Sequence, residues 1–174
     1  MNPVSPTHLD ALRLAMKTIL KNSLPAAALA ALLIWANTGC ALFHHHSTYG
    51  PIHQYAKSGD AASVAAELAA HPDELNLTDD LGQTPLHIAA AQCRTNVVAL
   101  LLAKGAALDS KATGGATPLH LAAQEGCADA VTMLLAKDAK VNERDDQART
   151  PLTRAKQWHR DAIAELLRQN GGVE

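Results

Sequence analysis

Aromatic side chains make up only 3% of this 174-residue chain, and its 48% hydrophobic fraction is mostly alanine, leucine and valine, which suits close-packed short helices and excludes an aromatic-rich β-sandwich. The formal charge is −2, and without residues 1–39, which hold Arg13, Lys17, Lys21 and Asp10, 12 basic side chains face 16 acidic ones. That balance excludes the clustered Lys and Arg that nucleic-acid binding needs.

Leu24 to Ala36 reads LPAAALAALLIWA, with Lys17 and Lys21 before it and Asn37-Thr38-Gly39-Cys40 after it. A positive flank, a short apolar run and small residues before a cut describe a secretory signal, expected over residues 1–39, with Met16 as an alternative start. Ending in Gly39-Cys40, the segment resembles a bacterial lipoprotein signal. The resemblance implies lipidation of Cys40 and, with Ala41 next, sorting to an outer membrane with the remaining chain facing the periplasm. Two other readings stay open: an uncleaved anchor, since residues 24–43 are just long enough to span a bilayer, and plain secretion. All three place the rest of the chain outside the cytoplasm. Residues 40–49 then form a linker whose nine residues after Cys40 extend at most ~30 Å, which keeps residues 50–174 near the membrane.

From residue 50 onward the chain repeats itself. Thr84-Pro85-Leu86-His87 returns as Thr117-Pro118-Leu119-His120 and, less perfectly, as Thr150-Pro151-Leu152-Thr153, each time 33 residues on; Gly50-Pro51-Ile52-His53 is an upstream copy displaced by 34. The register holds further along, where Ala89-Ala90 matches Ala122-Ala123 and Leu101-Leu102 matches Leu134-Leu135. Each unit reads as a turn, two short helices and a loop. Thr84 and Thr117 are placed to cap a first helix with proline in its first turn, Gly126 to divide the helix pair, and Gly105 to end the second helix. Asp79-Asp80-Leu81-Gly82 and Thr113-Gly114-Gly115 supply turn residues for projecting hairpins. One unit cannot hide its apolar stripe alone, so the units must stack.

These copies resemble ankyrin repeats. The resemblance implies an all-α repeat fold, an ankyrin solenoid of about four helix–turn–helix repeats with hairpin loops, at residues 50–79, 80–112, 113–145 and 146–174. Gln54, Ser63 and Glu67 in the first copy, and Arg154, Lys156 and Arg168 in the last, replace apolar residues of the middle copies; we read them as the polar outward faces of terminal caps.

Little in the repeats offers chemistry. The recurring His53, His87 and His120 would sit about one sheet spacing, ~10 Å, apart in a stack, too far for shared metal ligation, and the resemblance makes them structural hydrogen-bonders. His44-His45-His46 reads as a solvated tether. Nothing resembles a nucleophile–base pair, a phosphate loop or a dinucleotide fingerprint, so no enzyme, metal or cofactor is expected. Cys93 stands where the next copy keeps Gly126, and Cys127 lies one residue beyond that glycine. Two outcomes stay open: a Cys93–Cys127 disulfide, favoured by an oxidising compartment, or buried free thiols.

In the family, partners bind hairpin tips and the exposed side of the first helices. Carried over by position, the tips are Asp79, Asp80, Leu81 and Gln83, then Lys111, Thr113 and Ala116, then Arg144, Asp146, Gln147 and Arg149. The helical positions are Gln92, Gln124, Glu125, Gln157 and Trp158. Trp158 is either an interface anchor or part of a cap folded against the C-terminal tail. The expected function is a protein-binding scaffold tethered in the periplasm; the alternatives are an immunity or protective lipoprotein that blocks a toxin or shields an envelope enzyme, and a purely structural envelope component.

Overall fold

The computed structural model describes residues 50–174, and the signal, Cys40 and linker assignments lie outside the described residues. Four helix pairs follow one another: α1 (Pro51–Ser58) with α2 (Ala61–Ala70), α3 (Pro85–Ala91) with α4 (Thr95–Ala103), α5 (Pro118–Glu125) with α6 (Ala128–Leu135), and α7 (Pro151–Gln157) with α8 (Asp161–Gln169). A 3₁₀ turn, Pro72–Asn76, follows α2. Among the described residues there is no strand, and no helix is long and apolar enough to cross a membrane.

Each first helix begins with proline after its cap, where a missing N–H costs nothing. First helices pack on first helices and second helices on second helices, giving two layers with the core between them. That core takes one to three large side chains per helix and fills much of the rest with alanine: Ile52, Leu86, Leu119 and Leu152 from the first layer, Val64, Val97, Val98, Leu101, Val131, Leu134 and Leu167 from the second. Ala89, Ala90, Ala122, Ala123 and Ala155 are fully buried, and their small size lets neighbouring helices approach closely.

The histidines knit one repeat to the next. The Nε2 of His87 donates to the Ala116 carbonyl at 3.1 Å and that of His120 to the Arg149 carbonyl at 3.0 Å. Burial holds both imidazoles below their ordinary titration range, so each ring is neutral and its Nδ1 is an acceptor. It receives the backbone N–H of Thr84 or Thr117, each at 3.1 Å, and the threonine hydroxyl at 2.9 or 2.8 Å. His53 reaches forward in the same way, to the carbonyls of Leu77 and Gln83.

A second ladder runs along the loops that follow the second helices. Asn76 accepts from the Ala107 amide at 2.9 Å and Asp109 from the Lys140 amide at 3.1 Å. Asn142 closes the series on the tail, accepting from the Val173 amide at 2.8 Å and donating to the Gly171 carbonyl at 3.0 Å. Val173 thus stands in register with Ala107 and Lys140 on the same ladder.

The polar residues read as outward cap faces divide three ways, with Ser63 and Glu67 half-buried. Gln54, Lys156 and Arg168 are exposed, but Arg154 is 7% exposed and buried against Asp145. It is an internal ion pair, and no outward face of the cap includes it.

Candidate protein-binding surface

The hairpin tips are closed turns joined side by side. Asp79 and Gln83 pair through the Asp79 amide and Gln83 carbonyl at 3.0 Å, Ala112 and Ala116 do so at 2.9 Å, and Asp145 and Arg149 at 3.0 Å. The Thr113 amide then donates to the Leu81 carbonyl at 2.8 Å, and the Asp146 amide to the Gly114 carbonyl at 3.0 Å. Asp79 and Asp145 brace their turns from inside: Oδ1 of each accepts two backbone amides, from Leu81 and Gln83 in one and from Gln147 and Arg149 in the other. Two residues expected at the tips therefore face inward, because Asp79 is spent on its own turn and Ala116 presents its carbonyl to His87.

The remaining tip residues divide by what already holds them. Asp80, Leu81, Lys111, Thr113, Arg144, Asp146 and Gln147 are exposed, Leu81 most clearly at 53%. Lys111 pairs with Glu143 at 2.7 Å and donates to the Arg144 carbonyl at 3.2 Å, so that ridge is cross-linked between repeats. Arg144 turns back on its own hairpin, donating to the Ala148 carbonyl at 2.8 Å.

A continuous polar network joins four sequence-chosen residues through two that sequence reasoning missed. Arg154 donates from Nη1 to Gln124 Oε1 at 3.0 Å and pairs with Asp145 Oδ2. Arg149 pairs with the same oxygen at 2.9 Å and reaches Gln157 Oε1 at 3.3 Å. Gln124 in turn donates to Glu125 at 3.0 Å. Burial opposes the charge on Asp145, yet the Arg149 amide and the two guanidiniums outweigh it and hold the carboxyl at about 2. The signal available in the sequence was register: Asp145 repeats Asp79 two units on, and only the later copy has arginines four and nine residues behind it.

Gln92 and Trp158 close the first helices α3 and α7 as their C-caps, and both are exposed. Trp158 remains 50% exposed, while the tail is held elsewhere, by Asn142, Thr150 and Lys156.

A family model described as ankyrin repeats in three copies matches residues 52–145 and 112–174. The chain belongs to the ankyrin-repeat family. Ankyrin repeats generally mediate protein–protein contact, and proteins built from them are typically non-enzymatic scaffolds. Comparison with curated proteins returned no match. Among the described residues of this ankyrin array, no group of three or more His, Cys, Asp or Glu side chains is placed to hold a metal ion.

Proposed function

We propose that this ankyrin array is a scaffold tethered in the periplasm of a bacterium by its N-terminus, where it binds one partner protein across its hairpin tips and the exposed ends of its first helices. The observation that carries the reading is Trp158, half exposed at the end of α7, in register with the exposed Glu125 and Gln92. A large ring held at the solvent by a rigid helix end is an effective anchor, because it loses little freedom on binding. Its neighbours Gln157, Arg149 and Gln124 are already fixed by Arg154 and Asp145, so a partner meets a preformed surface. Support for the location comes from the signal-like residues 1–39, from Cys40, and from a chain whose two other cysteines are bonded to each other, as suits an oxidising compartment.

Affinity purification of the full chain from detergent-solubilised envelopes tests both halves. A specific protein should co-purify and be lost with Trp158→Ala combined with Arg149→Ala while the variant stays folded; an unchanged catch removes this surface from consideration. If the captured protein is a secreted toxin or an envelope enzyme, the scaffold has an immunity or protective role. Acyl-chain labelling that persists in Cys40→Ser would refute the lipid tether.

A further inference from the structure

Three interfaces join the four repeats, and at each the positive-φ residue just before the second helix's N-cap meets the N-cap residue of the next repeat's second helix. At the first, Gly59 has φ 84°, and Arg94 lies across it and donates from Nε to the Lys57 carbonyl at 2.9 Å. At the third, Gly126 has φ 87°, and Arg160 lies across it and donates to the Gln124 carbonyl at 3.1 Å. A Cβ on either glycine would come within 2.9 Å or 3.0 Å of the arginine Cδ, so the stem packs flat only on glycine. The central interface has neither partner. Cys93 occupies the glycine position with φ 53°, Cys127 occupies the arginine position, and a disulfide joins them with Cα atoms 5.1 Å apart. Cys127 Sγ lies 3.9 Å from the Ala91 carbonyl, the counterpart of the carbonyls that the arginines reach.

We propose that the Cys93–Cys127 bond is a covalent replacement for the Gly–Arg clamp, which makes the central interface a redox-controlled seam in an otherwise redox-indifferent array. Both cysteines depart from the pattern together. Either change alone is disfavoured, since a side chain at Cys93 obstructs an arginine stem and a positive φ strains a non-glycine residue. Reduced, the seam has a strained Cys93 and no guanidinium on the Ala91 carbonyl; oxidised, it is tied across 34 residues. A dithiol reductant would open it in two steps. Its first thiolate attacks a sulfur of the bridge, most accessibly that of the exposed Cys93, and Cys127 leaves as a thiolate at the N-terminus of α6. The second thiol then resolves the mixed disulfide, so two electrons and two protons pass from the reductant, which becomes a disulfide, to the two cysteines. A cavity of about 290 Å³ bordered by Thr95, Gly126 and Asp129 opens beside the bridge and gives the reductant access. The proposal is independent of which protein the array binds.

The test uses the full chain in detergent, oxidised and dithiol-reduced, beside a Cys93→Gly/Cys127→Arg variant that rebuilds the clamp of the flanking interfaces. Reduction should lower the wild-type Tm by about 10 °C. Native-state hydrogen exchange should then quicken first in α3 and α5, on either side of the seam, and iodoacetamide should label Cys93 before Cys127. The rebuilt variant should melt above the reduced wild type and ignore the reductant. Equal melting of oxidised and reduced wild type overturns the proposal, as does a rebuilt variant that folds but is no more stable than the reduced wild type.

Discussion

Arg154 donates from Nε to Asp145 Oδ2 at 3.0 Å from the helix position that Ile88 and Leu121 hold in the two preceding repeats. Both partners are buried, and the pair stands where the preceding repeat has Ala112 and Leu121. Removing Asp145 alone strands a guanidinium away from water, so Asp145→Ala should destabilise the array by about 3–5 kcal/mol. Asp145→Ala combined with Arg154→Leu rebuilds the Ala112 and Leu121 combination of the preceding repeat and should recover most of that loss. Urea unfolding of the three proteins checks the order, and a double variant as unstable as the single one would contradict it.

The same carboxylate gives the array an acid limit. Its pKa is about 2 folded against an ordinary value of 3.8, so the folded state favours the charged form. The resulting stabilisation, about 2 kcal/mol, is present above pH ~4 and is lost as pH falls toward 2. His87 and His120 act earlier on the same descent. Burial lowers both, the unfolded chain takes up protons first, and stability therefore falls as pH drops below the ordinary histidine value of 6.5. A plot of unfolding free energy against pH should slope downward below 6.5, and this slope should shrink in His87→Ala and His120→Ala, each already weakened at neutral pH by its unpaired turn carbonyl.

The 33-residue offset made the stacking legible because an array must solve one packing problem several times, and Thr-Pro-Leu-His carries cap, first turn, core contact and inter-repeat bond in four adjacent residues. Departures from the repeat were harder to read. An arginine replacing leucine in the last unit looks like polarity turned toward solvent, and Arg168 and Lys156 are exposed as that logic predicts. Arg154 differs because its counter-charge lies in the preceding turn, a pairing that helix periodicity does not encode. The cysteines posed the same difficulty: each is odd within its own repeat, and they make sense only when the interfaces are aligned as Gly–Arg, Cys–Cys and Gly–Arg.

Asp79 is the unfinished version of Asp145. Its Oδ1 holds two turn amides, but Oδ2 is buried and meets no donor among the described residues, whereas Arg149 serves that oxygen in the later hairpin. Gln83 stands four residues after Asp79, as Arg149 stands four after Asp145. Gln83→Arg should therefore supply the missing donor and stabilise the array by about 1 kcal/mol. A denaturant midpoint that does not rise, at unchanged m-value, would show that the second hairpin does not accept the geometry of the fourth.

The fourth repeat lacks the histidine of the earlier ones. Thr153 fills the position, and the Thr150 hydroxyl, which in earlier repeats faces an imidazole, donates instead to the Val173 carbonyl at 2.7 Å. Asn142 holds the same tail residue from the other side, and Arg144 touches the Glu174 carbonyl at 3.4 Å. Removing residues 171–174 leaves Thr150 and Asn142 without these partners while sparing every apolar core contact. The truncation should cost about 3 kcal/mol, at roughly 1 kcal/mol for each bond that Thr150 and Asn142 lose, and it should act locally. Hydrogen exchange should quicken in α7 and α8 and leave α1 to α4 near their original protection. Uniform acceleration would mean that the tail braces the whole stack and is more than a lid on its last unit.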